Sequence, residues 1–333
     1  MRESRHWSEQ KEAARSWHMV LFFFLFKVLP PFFLSLAAYP VGFCYFLFFR
    51  KGRDESRRFL RRFAAFRPDR GGLSALKHIT AFALTLVEKV LAWGGGIPFK
   101  RIHFQNDGVN ALIGDLEQGR GAALLCSHLG NAELLRALAD FRRTGVSRPV
   151  PVTSVIDFDV IPRFSGLLAR LNPRSSLKII SANAIDPGSI IALQEETERG
   201  GLAVIAGDRT SAHNRDKVFM FPFLGKPAPF PQGPFVLASL LDVPVYAVFA
   251  LRRGDLSPIP DYDMYVHPLA PPTAGPEDGA AEVGGSRKKK REIAESRARR
   301  FAALLEGYCL QHPYQWYNFF DFWTSAPSRE AEE

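Results

Sequence analysis

Between residues 100 and 253 the chain alternates short apolar runs with segments of helical period, and that alternation limits its fold more than any other feature. The apolar runs are "RIHFQN" (101–106), "GAALLCS" (121–127), "PVPVTSVI" (149–156), "LKIISA" (177–182), "GLAVIAGD" (201–208) and "VPVYAVFALRR" (243–253). Helical stretches fall between them at 109–118, 131–143, 162–171, 188–200 and 233–242. Strands that alternate with helices across short connections predict an α/β fold, its sheet largely parallel and covered on its faces by helices. A chain of 333 residues, 47% of them apolar, has enough material for one large domain of this kind with appendages, or for two small ones. That apolar share excludes global disorder. No internal repeat is visible.

The N-terminal region belongs to a different solvent. Residues 19–49 read "MVLFFFLFKVLPPFFLSLAAYPVGFCYFLFF", with Lys27 the one charged residue. The uncharged run 32–49 has 18 residues, the lower edge of a membrane-spanning helix, and Pro40 and Gly42 interrupt it. Glu3, Glu9 and Glu12 precede it and a second apolar block follows the first, which does not fit a secretory signal. The region reads as membrane-embedded, either spanning or lying as broken helices in one leaflet, with a helix buried in a soluble core as the alternative. Residues 1–18 form a polar helix candidate that carries Trp7 and Trp17.

A basic cluster follows at 50–70 and a second lies at 287–300, within a formal net charge of +9. An apolar run followed by a basic run is the order of a membrane segment with a cytoplasmic flank. A solvated helix face is the alternative reading of either cluster. The "GSRKKKR" run comes with no helix-turn-helix, RNP or zinc signature, so an acidic carrier protein or anionic headgroups fit it better than nucleic acid. The three cysteines have no CxxC spacing, which fits a reducing compartment. The expected organisation is an anchor with basic flank at 1–70, an α/β core at 71–269, a Pro/Gly/Ala-rich loop at 270–286, a basic helix and aromatic segment at 287–323, and a polar tail at 324–333. Within it, "LSALKHITAFALTLVEKVLAW" (73–93) has helical spacing and stops at Gly94-Gly95-Gly96.

The stretch "LLCSHLGNAELLRAL" (124–138) carries the candidate chemistry. In one continuous helix His128 and Glu133 would point about 140° apart. They can meet only if His128 lies in the turn after strand 121–127 and Glu133 in the first helical turn, with Gly130 turning the chain and Asn131 as N-cap. At a helix N-terminus His128 tends to stay neutral and able to accept a proton. Glu133 would hold one ring nitrogen, and exposed amides of the same turn would face a developing oxyanion. The structural alternative is a His that caps or packs at a strand end. His213 and Asp216 with Asp208 match no standard metal-ligand set, so no metal is expected.

"SHLGNAE" resembles the HX4(D/E) motif of glycerolipid acyltransferases, and more narrowly that of the lipid A late acyltransferases, the lauroyl- and myristoyl-transferase branch. "VIAGDR" (204–209), "FPFLGKPAPFPQGPFVLA" (221–238), "DVPVYAVFALR" (242–252) and "HPYQWYNFFDFW" (312–323) resemble later blocks of that branch in the same order. The resemblance implies a glycerolipid-acyltransferase-like sheet with a membrane-embedded N-terminal region. It also implies transfer of an acyl chain from acyl carrier protein or coenzyme A to a lipid hydroxyl, at the cytoplasmic face of a bacterial inner membrane and without a further cofactor. His128 would be the general base and Glu133 its partner. Arg209 would bind a phosphate or the thioester-side anion, with Asp208 orienting it. Gly130, Asn131, Gly225, Lys226, Phe230, Pro231 and Gly233 would complete the binding turns. "QWYNFFDFW" and the Lys-rich run depart from the lipid A enzymes and point to a sister group that acts on another glycolipid or lipid precursor. A thioesterase on the same scaffold and a non-catalytic lipid-binding factor are the competing functions.

Overall fold

The computed structural model describes residues 29–135, 146–156, 178–182, 185–210, 216–270 and 287–323. The helix candidates at 1–18 and 162–171, most of the one at 131–143, the loop after 270, the tail and His213 lie outside them.

Three helices come first: α1 (Pro31–Phe48), α2 (Arg50–Phe66) and α3 (Ala75–Trp93). α1 continues through Pro40 and lays a narrow stripe of Leu34, Ser35, Ala38 and Gly42 against α3. A Cβ on Gly42 would lie 3.1 Å from the Thr80 Cα, so the two helices meet almost backbone to backbone. The large side chains of α1 face outward, with Phe33 54% and Phe48 77% exposed. Among the described residues this is the one helix long and apolar enough to cross a membrane. α2 is amphipathic in the usual way, burying Ser56, Phe59, Leu60 and Phe63 beneath a row of arginines. Ser74 caps α3, its hydroxyl accepting from the Lys77 N–H.

The remaining elements are β1 (Ile102–Phe104), α4 (Gly108–Glu117), β2 (Ala122–Cys126), β3 (Val152–Ile156), β4 (Lys178–Ser181), α5 (Pro187–Glu198), β5 (Leu202–Ala206), β6 (Val218–Phe223), β7 (Lys226–Pro231), α6 (Gly233–Leu240), β8 (Val245–Arg252), β9 (Tyr262–Pro268) and α7 (Arg287–Gln311). Seven strands form one sheet in the order β1-β9-β8-β2-β5-β3-β4. Only the β8–β9 pairing is antiparallel. The α/β class and the mixed, mostly parallel sheet under helices follow the sequence reading.

Both faces of the sheet are covered, and the strand alternation divides the core accordingly. Ala123, Leu125, Ala247 and Phe249 point into one cluster with α6, α7 and the β6–β7 ribbon. Ala122, Leu124, Tyr246 and Val248 point into the other, with α1, α3 and α4. All eight residues of β8 are buried. A buried ion pair ties α3 to the sheet: Arg252 Nε lies 3.0 Å from both carboxylate oxygens of Glu88, and the two side chains are 1% and 0% exposed. The Tyr262 hydroxyl donates to the same carboxylate.

The ribbon and β9 were not expected from the sequence. The resemblance puts binding turns in "FPFLGKPAPFP" and no strand, yet the segment pairs from Val218↔Pro231 to Phe223↔Lys226 around a two-residue turn. Leu224 and Gly225 take positive φ values of 48° and 76°, the geometry that matches strand twist in such a turn. The prolines fall on alternate pairs: Pro222↔Pro227, Met220↔Pro229 and Val218↔Pro231. Counting from the turn, these are the pairs that exchange no hydrogen bonds, so no ladder bond is lost. The neighbouring Gln232 N–H donates to the Lys217 carbonyl at 2.9 Å, as that register requires.

Candidate active site

The site grows from the register of two parallel strands. β2 and β5 pair Cys126 with Ala206, and the Gly207 N–H donates to the Cys126 carbonyl at 2.9 Å. Continuing each strand by two residues brings His128 and Asp208 side by side at the carboxyl edge of the sheet, where α/β folds build their sites. His128 Nδ1 lies 2.8 Å from Asp208 Oδ1, and the His128 backbone N–H donates to Oδ2 at 2.8 Å. The Trp316 indole N–H donates to the same Oδ2 at 3.3 Å.

Protonation follows from these contacts. Burial would raise the Asp208 carboxyl, but the charge and hydrogen bonds of His128 and the nearby Arg209 outweigh it and hold the group below the usual carboxylate range. An ionised carboxylate only accepts, so Nδ1 of His128 carries the hydrogen and Nε2 the lone pair. Burial pulls the His128 imidazole below its ordinary value, helped by the Arg209 charge and opposed by Asp208. The ring is therefore neutral at pH 7. Its side chain keeps 30% of its surface exposed while that of Asp208 keeps none, and no described residue hydrogen-bonds Nε2.

The pairing therefore differs from the one expected. Glu133 accepts from the Trp93 indole N–H at 2.9 Å, and the hydrogen bonds of the His128 side chain go to Asp208. Sequence spacing puts Glu133 five residues away along a turn; sheet pairing brings Asp208, eighty residues away, into hydrogen-bond range. For the same reason Asp208 orients the imidazole, and its hydrogen bonds do not reach Arg209. Arg209 donates instead from Nη2 to the Tyr317 carbonyl at 2.8 Å and faces the Phe320 ring at 5.7 Å. Burial lowers its guanidinium to about 10, so it remains a cation at neutral pH.

The turn after His128 is committed to the fold. Gly130 has φ +71°, and a Cβ there would meet the Ala250 carbonyl oxygen at 2.0 Å. Its N–H donates to the Gln315 carbonyl, and that of Asn131 to Ala250, both at 2.9 Å. The Leu129 N–H donates to Ser127 Oγ at 3.2 Å. Every amide from 128 to 131 thus has a protein partner, and none of these four is left to face an oxyanion. Nor does Asn131 cap the helix: its side chain is fully buried and its Nδ2 points to the Tyr262 hydroxyl at 3.4 Å.

The ribbon residues separate into two kinds. Phe230 is 0% exposed and packs tilted or edge-on against Phe221, Phe223 and Phe322, and Pro231 is buried, so both serve the core. Gly225 and Lys226 are exposed at the ribbon tip, where a Cβ on Gly225 would stand 3.0 Å from the Phe66 ring. Gly233 is exposed at the start of α6.

The C-terminal segment contributes residues that spacing did not single out. Leu129 and Trp316 form an antiparallel bridge, and the Tyr317 N–H donates to the His128 carbonyl at 3.0 Å. Gln315, fully buried, accepts the Arg252 N–H and donates to the Arg252 carbonyl, both at 2.8 Å. "PYQWYN" was visible as a block, but its part in clamping the His128 turn needed the fold. The chain matches no protein-family model, and no curated protein matches it.

Proposed function

We propose that the chain is a membrane-bound acyltransferase that moves a fatty acyl group from an acyl thioester to a lipid hydroxyl. The observation that carries this reading is the His128–Asp208 pair at the edge of the sheet, with Nδ1 held and Nε2 left to act. Nε2 takes the proton of the acceptor hydroxyl as its oxygen attacks the thioester carbonyl. Asp208 stabilises the imidazolium that forms. As the tetrahedral intermediate collapses, the C–S bond breaks and the thiol leaves with the proton returned by the imidazolium. The ester and the free carrier thiol are the products, and atoms and charge balance with no added redox group. Arg209 supplies a fixed cation beside the pair for the anionic part of a donor or acceptor.

The outward phenylalanines of α1 and the arginine row of α2 support attachment to an anionic membrane surface, which is where a lipid acceptor resides. The resemblance to lipid A late acyltransferases supports the same reaction, and carrier protein or coenzyme A as the donor. The departures in the last block favour a glycolipid or lipid precursor other than lipid A as acceptor.

Mass spectrometry of total lipids tests the reading in cells that make the wild-type protein or His128→Ala at matched levels. A lipid heavier by one acyl group that appears only with wild type supports it. Release of free fatty acid without such a lipid replaces transfer with thioester hydrolysis. Identical lipids and fatty acids from both, with both proteins folded in the membrane, reject catalysis by His128.

A further inference from the structure

We infer that Trp316 is a positioning residue, whose indole N–H fixes the Asp208 carboxylate to the frame of the protein so that His128 presents Nε2 in a single direction. The inference rests on the reading of His128 as proton acceptor.

Asp208 receives three hydrogen bonds. Two come from His128 itself, through Nδ1 and through the backbone N–H. The backbone N–H ties Oδ2 to the end of β2 and the ring N–H ties Oδ1 to the imidazole, so these two hold the carboxylate from the His128 side alone. The third comes from Trp316 and is the one that crosses to another part of the chain. At 3.3 Å it lies just beyond the usual N–H···O range and is the weakest of the three.

A group that positions others must itself be held, and Trp316 is held on every side. It is 1% exposed, and the rings of Phe59, Phe223 and Phe322 stand edge-on to it at 5.1, 5.0 and 5.1 Å. Its carbonyl accepts from His78 Nε2 at 3.0 Å, while His78 Nδ1 takes the hydroxyl of Ser56 at 2.9 Å. His78 is fully buried and its imidazole is depressed to about 4, so the ring is neutral and its tautomer is set by the carbonyl it must serve. Hydrogen bonds thus run from Ser56 on α2 through His78 to the Trp316 carbonyl, and from the Trp316 indole through Asp208 to His128. Together they join the helix that carries the basic row to the reacting imidazole, and each of the inner members is buried.

The test compares Trp316→Phe, which keeps an aromatic ring and removes the N–H, with Phe322→Leu, which disturbs the same aromatic cluster and no hydrogen bond. Both are made in the full chain in detergent micelles. The readouts are the His128 titration, followed by NMR of the carbon-13-labelled imidazole and assigned by its loss in His128→Ala, and kcat against KM for acyl transfer. The charged groups that face His128 (Asp208, Arg209 and Lys89) are the same in both variants.

The indole N–H turns its positive end toward the site, so removing it favours the imidazolium. The His128 pKa then rises by roughly half a unit in Trp316→Phe and stays at the wild-type value in Phe322→Leu. kcat falls about tenfold in Trp316→Phe with KM within about twofold, as expected when orientation is lost and binding is kept. A titration in Trp316→Phe that overlays the wild type, or that moves as far as in Phe322→Leu, overturns the inference and leaves Trp316 as core. If wild type transfers no acyl chain the functional reading fails, and the titration still shows whether the Trp316 N–H acts on the Asp208–His128 pair.

Discussion

Two hydrogen-bonded pairs of ionisable side chains with opposite characters lie along the same sheet. Arg252 and Glu88 are 1% and 0% exposed, and their polar atoms are saturated: Glu88 takes Arg252 and Tyr262, and Arg252 also serves the carbonyls of Gly254 and Ser257. His128 and Asp208 are 30% and 0% exposed, and Nε2 of the histidine has no described partner. The first pair has no group left with which to act on another molecule. The second is equally well held on one side and open on the other. The two carboxylates are equally buried, so burial of the acid does not separate the pairs; what distinguishes a reacting pair is one atom left over after the fold has been satisfied.

Replacing His128 by Ala breaks the comparison most sharply. Acyl transfer measured with a labelled thioester falls by about 10³–10⁴-fold, near the upper end of what a general base contributes. The melting temperature falls less than in Glu88→Gln, because the buried Asp208 carboxylate keeps the His128 backbone N–H and the Trp316 indole N–H as donors. Glu88→Gln does the reverse. Removing one member of a buried pair costs about 3–5 kcal/mol, read by denaturant unfolding, while the folded fraction keeps its kcat. Replacing Arg252 and Glu88 together by apolar residues recovers part of that loss.

His78 sharpens the contrast through pH. It is buried neutral, its pKa lowered from 6.5 to about 4. The unfolded chain binds the proton first, so this contribution is complete above pH 6.5 and is lost as pH falls from there towards 4. The window corresponds to about 3 kcal/mol, visible as a drop in unfolding midpoint between those pH values that His78→Gln flattens. The activity profile has the same sign at another residue. His128 acts as a base only when neutral and its pKa lies below the ordinary 6.5, so kcat/KM holds through neutral pH and falls at a lower pH than for a free histidine. A fall centred at or above 6.5 contradicts the burial argument.

The sheet was legible because periodicity is local: each apolar run from 101 to 253 became a strand within a few residues of its expected ends. What the sequence concealed depended on pairing between distant segments. Prolines in 222–231 masked a strand pair that accommodates them only in one register. β9 was missed because "PIPDYDMYVHP" carries turn residues at both ends and alternates only over its middle. At the site, His128, Gly130 and Asp208 stood out as residues, yet the partner of His128 was assigned by closeness in sequence. The carboxylate that reaches it comes from the next strand but one in chain order after β3, set by the pairing of Cys126 with Ala206. Phe230 and Asn131 belong to blocks that resemble binding motifs, but their side chains are consumed by the core.

The central claim is that Asp208, and not Glu133, is the carboxylate that works through His128. It is tested most directly by acyl transfer in Asp208→Asn and Glu133→Gln at matched levels in the membrane, each read as lipid acylated per folded protein. The account expects Asp208→Asn to lose about 10²-fold or more, since the amide cannot stabilise the imidazolium, and Glu133→Gln to stay within about tenfold of wild type. The opposite order, with Glu133→Gln inactive and Asp208→Asn near wild type, would contradict it.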